Sequence, residues 1–99
     1  MKKIMALIFA LSCSGIVFAS MNETYSFRTA TNQTITVGDS LDQLIDRTAQ
    51  SPQSMKTTAW HEGTNTVNAM QYEYNIGENI YAVTVVNNQV RKIEYRKNI

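Results

Sequence analysis

Ile80-Tyr81-Ala82-Val83-Thr84-Val85-Val86 runs into Asn87-Asn88 and then into Gln89-Val90-Arg91-Lys92-Ile93-Glu94-Tyr95-Arg96. The stretch 80–86 is almost wholly β-branched, aromatic or small, the composition that fits a pleated surface. Tyr81, Val83 and Val85 fall on one parity and Ile80, Ala82, Thr84 and Val86 on the other. Successive side chains of a strand point to opposite faces. The pattern therefore predicts a central strand, with both faces at least partly covered or one of them used for binding. Ile80 is expected on the more solvated side. Asn87-Asn88 predicts a tight turn, because asparagine tolerates positive φ. Residues 90–96 predict a returning strand, with Ile93 and Tyr95 in phase.

Upstream, Met70, Tyr72 and Tyr74 alternate with Gln71 and Glu73, and residues 75–79 form a turn signal around Gly77. The links between these three segments are too short for parallel crossovers, so the segments predict an antiparallel meander. Residues 53–68 are less legible. They are rich in Thr, Ser and Asn, with Met55, Trp60 and Val67 as isolated apolar positions. A strand over 57–61 carrying Trp60 inward, then a turn over 62–65, is the reading they allow.

The helix signal begins at Ser40. Ser40 and Gln43 have capping-box spacing, in which each side chain satisfies an orphan amide. Asp42 in the first turn and Arg47 near the end complement the helix dipole. Leu41, Leu44 and Ile45 make an apolar stripe at i, i+3 and i+4. Ser51-Pro52 ends it, since the residue before proline avoids the α region. About ten residues is marginal alone and needs a sheet to lie on. Before the helix, Tyr25 and Phe27 share a parity, Ile35 and Val37 alternate, and Gly38-Asp39 breaks the run. The expected fold is α+β: a short helix or helices packed on a three- to four-stranded antiparallel meander.

The amino end reads as an address. Lys2-Lys3, an apolar stretch over 4–19 interrupted at 12–15, and Val17-Phe18-Ala19 make a signal peptide, with cleavage expected between Ala19 and Ser20. Sixteen residues are short for a spanning helix of about 20. Cys13, preceded by Ala10-Leu11-Ser12, does not fit the lipoprotein box of a large apolar residue three places before cysteine. Removal of residues 1–19 leaves a single domain, 20–99, with no cysteine, and takes the formal charge from +1 to −1. Such a domain must hold itself by packing alone. Its near-neutral balance gives no reason to expect nucleic-acid binding, nor membrane attachment once the leader is gone. The expected location is the periplasm or the medium.

Chemistry is sparse. His61 is the only histidine, and adjacent His61 and Glu62 diverge on a strand. No cysteine pair, glycine-rich phosphate loop or calcium-loop ligand set exists in 20–99, so no catalytic residue, metal or cofactor is expected. Arg91, Lys92, Arg96 and Lys97 make the last strand basic, which suits a strand edge or a patch for an acidic partner. Tyr72, Tyr74, Tyr81 and Tyr95 concentrate in the meander. A small core cannot hide that many rings together with Trp60. Tyr72, Tyr74, Trp60, Arg91 and Arg96 are the candidate partner-binding surface.

Phe27-Arg28-Thr29, Ile35-Thr36-Val37-Gly38-Asp39-Ser40, Leu44-Ile45 with a helix ending before Pro52, Tyr81-x-Val83-x-Val85, Asn87-Asn88-Gln89-Val90 and Ile93 together resemble a family of small uncharacterised periplasmic bacterial proteins. That family is similar in design to the small outer-membrane assembly lipoproteins and the β-lactamase inhibitor repeats. The resemblance implies helices on an antiparallel sheet and a periplasmic address, without an assigned activity. This chain has Thr29 and Thr48 where the family pattern has cysteine, consistent with loss of one disulfide, and Ser51 where it has glycine. The functional expectation is a non-catalytic domain that binds another envelope or secreted protein. The alternative is an inhibitor of a secreted or periplasmic enzyme. Intact mass of the exported protein tests the address: a chain beginning at Ser20 is expected, and a diacylglycerol on Cys13 or an uncleaved Met1 would overturn it.

Overall fold

The computed structural model describes residues 21–98; the expected leader, 1–19, and its expected cleavage site lie outside them. The chain order is β1 (Asn22–Thr24), β2 (Ser26–Arg28), β3 (Thr34–Thr36), α1 (Leu41–Thr48), β4 (Ser54–Glu62), β5 (Asn65–Ile76), β6 (Asn79–Val86) and β7 (Gln89–Lys97). Five strands form one antiparallel sheet in the order β1-β7-β6-β5-β4. β2 and β3 form a separate hairpin. The fold is α+β, with one short helix on a multi-stranded antiparallel sheet. The meander has two more strands than its three legible segments, because β1 and β4 add themselves to its sides.

Two-residue loops set the register. Gly63-Thr64, Gly77-Glu78 and Asn87-Asn88 link β4 to β5, β5 to β6 and β6 to β7. Gly63 and Gly77 sit at φ +63° and +62°, Asn87 and Asn88 at +52° and +62°. Positive φ is what such hairpin loops demand, and asparagine tolerates it where most side chains do not.

β6 is buried on both faces. Val83 and Val85 face α1, β2 and β3, in a core with Phe27, Ile35, Leu44, Tyr74, Val90 and Ile93. Phe27 stacks on Tyr81 with centroids 4.4 Å apart. On the opposite face Ile80, Ala82, Thr84 and Val86 are buried too. Ile80, expected on a partly solvated side, is only 7% exposed.

The helix starts as its sequence predicts. Ser40 Oγ accepts from the Gln43 amide at 3.1 Å and Gln43 Oε1 accepts from the Ser40 amide at 2.8 Å. Loss of such a cap costs about 0.5–2 kcal/mol. Leu44 and Thr48 are buried, but Ile45 is 56% exposed. The inward stripe is therefore Leu41, Leu44 and Thr48, and the expected place of Ile45 in it is corrected. The end of the helix is tied to the β2–β3 hairpin and to Asp39. Thr31 Oγ1 donates to the Arg47 carbonyl at 2.6 Å, and Arg47 donates to the Thr34 carbonyl at 3.0 Å and pairs with Asp39 at 3.3 Å. These links fix eight residues of helix that would not persist alone.

β7 has no bare edge along most of its length. β1 pairs with Ile93, Glu94 and Tyr95. Lower down, the Gly38 amide donates to the Val90 carbonyl, the Val90 amide to the Asp39 carbonyl and the Leu41 amide to the Asn88 carbonyl, each at 2.8 Å. Gly38 does this at φ +106°, a conformation that favours glycine.

Because both faces of β6 are sealed, Val83→Ala should cost about 1–3 kcal/mol, and Ile80→Ala about 2–5 kcal/mol. Urea melts measure both. A negligible loss at Ile80 would show that its face is open to water.

Candidate functional site

The β4–β5 hairpin is a long arm. β5 pairs with β6 only from Met70 onward, so residues 65–69 and their β4 partners run past the end of β6. β4 is exposed along almost all of its length, with Met55 57% exposed. Its side chains contribute little to the core; pairing with β5 makes it a strand. This is why its polar sequence hid four of its nine residues from the expected 57–61 strand.

Two of the five candidate residues meet at the tip of the arm. The Arg91 Cζ lies 5.5 Å from the centre of the Trp60 ring. Arg91 Nη2 also pairs with Glu62 Oε2 at 3.2 Å. Trp60 and Glu62 belong to β4 and Arg91 to β7, three strands away, so the arm curls over the second face of the sheet. A bulge makes the contact possible. Thr84 faces Lys92 and Val85 faces Val90, which leaves Arg91 without a partner on β6. An extra residue bends a strand and re-aims a side chain. The sequence shows no sign of this bulge.

The other three lie elsewhere. Tyr74 is 2% exposed and belongs to the core, its hydroxyl beside that of Thr48. Burial, eased by that hydrogen bond and reinforced by Tyr72, pushes its pKa above the ordinary phenol value. Its expected place on an exposed face is corrected: Tyr74 pairs with Tyr81 on the parity of Val83, the face packed against Phe27, Ile35 and Leu44. Tyr72 is half-buried beside the core. Arg96 donates to Glu73 at 3.3 Å on the second face. The basic strand is not a free patch either: Arg91, Lys92, Arg96 and Lys97 pair with Glu62, Glu94, Glu73 and Glu78 at 3.2–3.6 Å.

On the first face, α1 stops short of the arm and leaves a cleft of about 510 Å³. Its apolar lining is Leu41, Ala69, Met70, Tyr72 and Val85; its polar lining is Thr57, Asn68, Asn87 and Asn88. Thr57 Oγ1 lies 3.5 Å from Met70 Sδ. Tyr72 is the one titratable side chain in this lining. The arrangement offers apolar contact and amide hydrogen bonds; its lining holds no carboxylate, imidazole or amine. Sequence reasoning found Tyr72 but missed Leu41 and Met70, whose shared cleft depends on where the start of the helix lies over the sheet. Among the described residues, no three His, Cys, Asp or Glu side chains come together as metal ligands, and no helix is long and apolar enough to cross a membrane.

No family model, curated protein sequence or solved structure matches this chain.

Glu73 gives the second face a pH dependence. Burial raises its pKa, but hydrogen bonds from Arg96, Gln53 and Ser54 and the charge of Arg96 outweigh this and hold it below 4.5. A carboxyl more acidic in the folded than in the unfolded chain stabilises the fold above its unfolded pKa. That contribution is lost as pH falls through the folded pKa. The stability gap between wild type and Glu73→Gln should be constant above about pH 5 and shrink below pH 4.5. Urea midpoints across pH measure it, and a gap independent of pH would refute the ionic role of Glu73.

Proposed function

We propose that this chain is a non-catalytic binding domain of the bacterial envelope. On this reading it is exported, released by cleavage after Ala19, and takes an apolar side chain or short segment of another envelope or secreted protein into the cleft beside α1. The observation that carries the reading is the cleft lining: Leu41, Met70, Tyr72 and Val85 below, with Thr57, Asn68, Asn87 and Asn88 around them. Apolar pockets with a few placed polar groups are the usual form of a recognition site. Methionine adapts to irregular partners, and tyrosine adds contact area at low entropy cost. The lining holds no carboxylate, imidazole or amine to serve as a general acid or base. The Lys-Lys start, the apolar stretch and the resemblance to small periplasmic proteins support the address.

The inhibitor reading draws on a different observation. The Gly63-Thr64 tip stands at the end of an arm that outruns β6, a form suited to entering an enzyme's cleft.

A photo-crosslinking residue at Met70 in the exported protein should capture a partner, and the same residue at Glu78, on a remote turn, should not. Tyr72→Ala should weaken binding of that partner by at least about 1 kcal/mol. Lys97→Ala should leave it unchanged. Capture only at Thr64 would favour the inhibitor reading. Capture at none of these positions, or equal affinity of the Tyr72→Ala variant, would overturn the cleft as the site.

A further inference from the structure

The outer edge of β4 is free to pair among the described residues. β4 pairs with β5 through nine unbroken residue pairs and borders no other strand. Its hydrogen-bond phase follows from its loop. A two-residue loop makes Glu62 and Asn65 a hydrogen-bonded pair, and such pairs alternate along an antiparallel ladder. Ser54, Lys56, Thr58, Trp60 and Glu62 therefore turn their backbone groups to β5. At the far end the Glu73 carbonyl turns toward β4 as that phase requires, accepting from the Gln53 amide at 2.7 Å. Met55, Thr57, Ala59 and His61 turn theirs outward.

This edge lacks most of the devices that keep strands apart. It contains no proline and no bulge. Its one central charge is Lys56, which has no carboxylate partner among the described residues. A long, unprotected edge is a template for another strand. The sequence Ser54-Met55-Lys56-Thr57-Thr58-Ala59-Trp60-His61-Glu62 complements itself in the antiparallel sense about Thr58. Thr57 then faces Ala59 of the other copy and Met55 faces His61, both pairs using outward amides. All four such pairs form, giving eight interchain hydrogen bonds. Thr58 meets Thr58, a favourable cross-strand pair, and Lys56 lies beside Trp60 with Glu62 on the diagonal. Lys56 never faces Lys56. Moving the axis to Ala59 loses two of the eight bonds.

We propose that two copies of this chain pair antiparallel through β4, on a two-fold axis at Thr58, to make one continuous ten-stranded sheet. The interface uses the backbone edge of β4 and shares only Thr57 with the cleft lining, so it stands apart from the proposed function.

Sedimentation of the purified protein should show its mass doubling as concentration rises. Thr58→Cys in a Cys13→Ser background should form a disulfide-linked dimer on mild oxidation, since the axial pair is not hydrogen-bonded and lies close. Ala59→Pro removes one outward amide and no bond to β5, and should abolish the dimer with an unchanged circular dichroism spectrum. Should that variant lose its fold, Thr58→Glu takes its place. It sets two carboxylates opposite each other and should weaken the dimer at least about tenfold. A monomer at every concentration without a Thr58→Cys cross-link overturns the proposal. So does a folded Ala59→Pro variant that dimerises like wild type. Cross-linking of Ala59→Cys but not Thr58→Cys overturns the axis.

Discussion

β6 has no side that faces water, and the rest of the structure is arranged around that requirement. Val83 and Val85 on one face and Ala82, Thr84 and Val86 on the other are all nearly inaccessible. Without cysteine beyond residue 13, both faces must be covered by packing. The first face is covered by pieces too small to be stable alone: an eight-residue helix and a hairpin of three-residue strands. They hold one another. Thr31 reaches the helix end, Arg47 reaches back to β3, and residues 38–41 are bonded to β7 and its turn. Together these links keep the helix and the hairpin seated on the first face of β6.

Burial falls from β6 across β5 to β4, and local stability should fall with it. The tip of the arm is held to β7 by Arg91 on Trp60 and Glu62, both partly exposed. A cation–π contact of this kind contributes about 0.5–1 kcal/mol and an exposed ion pair about 0.2–1 kcal/mol. Such a clasp opens easily on the scale of global unfolding. The cleft and the free edge of β4 both belong to this arm. The segment that contributes least to the core is thus the one best able to adjust to a partner.

The sequence was legible where a residue's role is local. The Ser40–Gln43 capping box, the Asn87-Asn88 turn and the two apolar parities of β6 each follow from neighbours a few positions apart, and all stand in the structure. Legibility failed where a role is set by a distant strand. Ser54–Glu62 has little alternation because little of it is buried, so only its pairing with β5 reveals its length. Tyr74 faces Tyr81 across β5–β6, which puts it on the parity of Val83 and inside the core. That register was readable from the Gly77 turn, and the polarity of Gln71 and Glu73 obscured it. Trp60 and Arg91 meet only through a bulge that no local pattern marks. Ile45 had the right spacing for burial, but the sheet lies under Leu41, Leu44 and Thr48 instead.

The charges show what kind of recognition the domain can support. Arg47, Arg91, Lys92, Arg96 and Lys97 each have a carboxylate within 4 Å. Pairs this exposed add little stability, but they cancel the local field. The basic strand therefore presents dipoles rather than a positive surface, and long-range attraction of an acidic partner has little to act on. The cleft carries no formal charge in its lining. Association there would rest on apolar contact and amide hydrogen bonds, with rates near the unsteered range of about 10⁵–10⁶ M⁻¹s⁻¹ and little dependence on salt. Contact of that kind would persist as ionic strength changes, which contact through Arg91 and Arg96 would not.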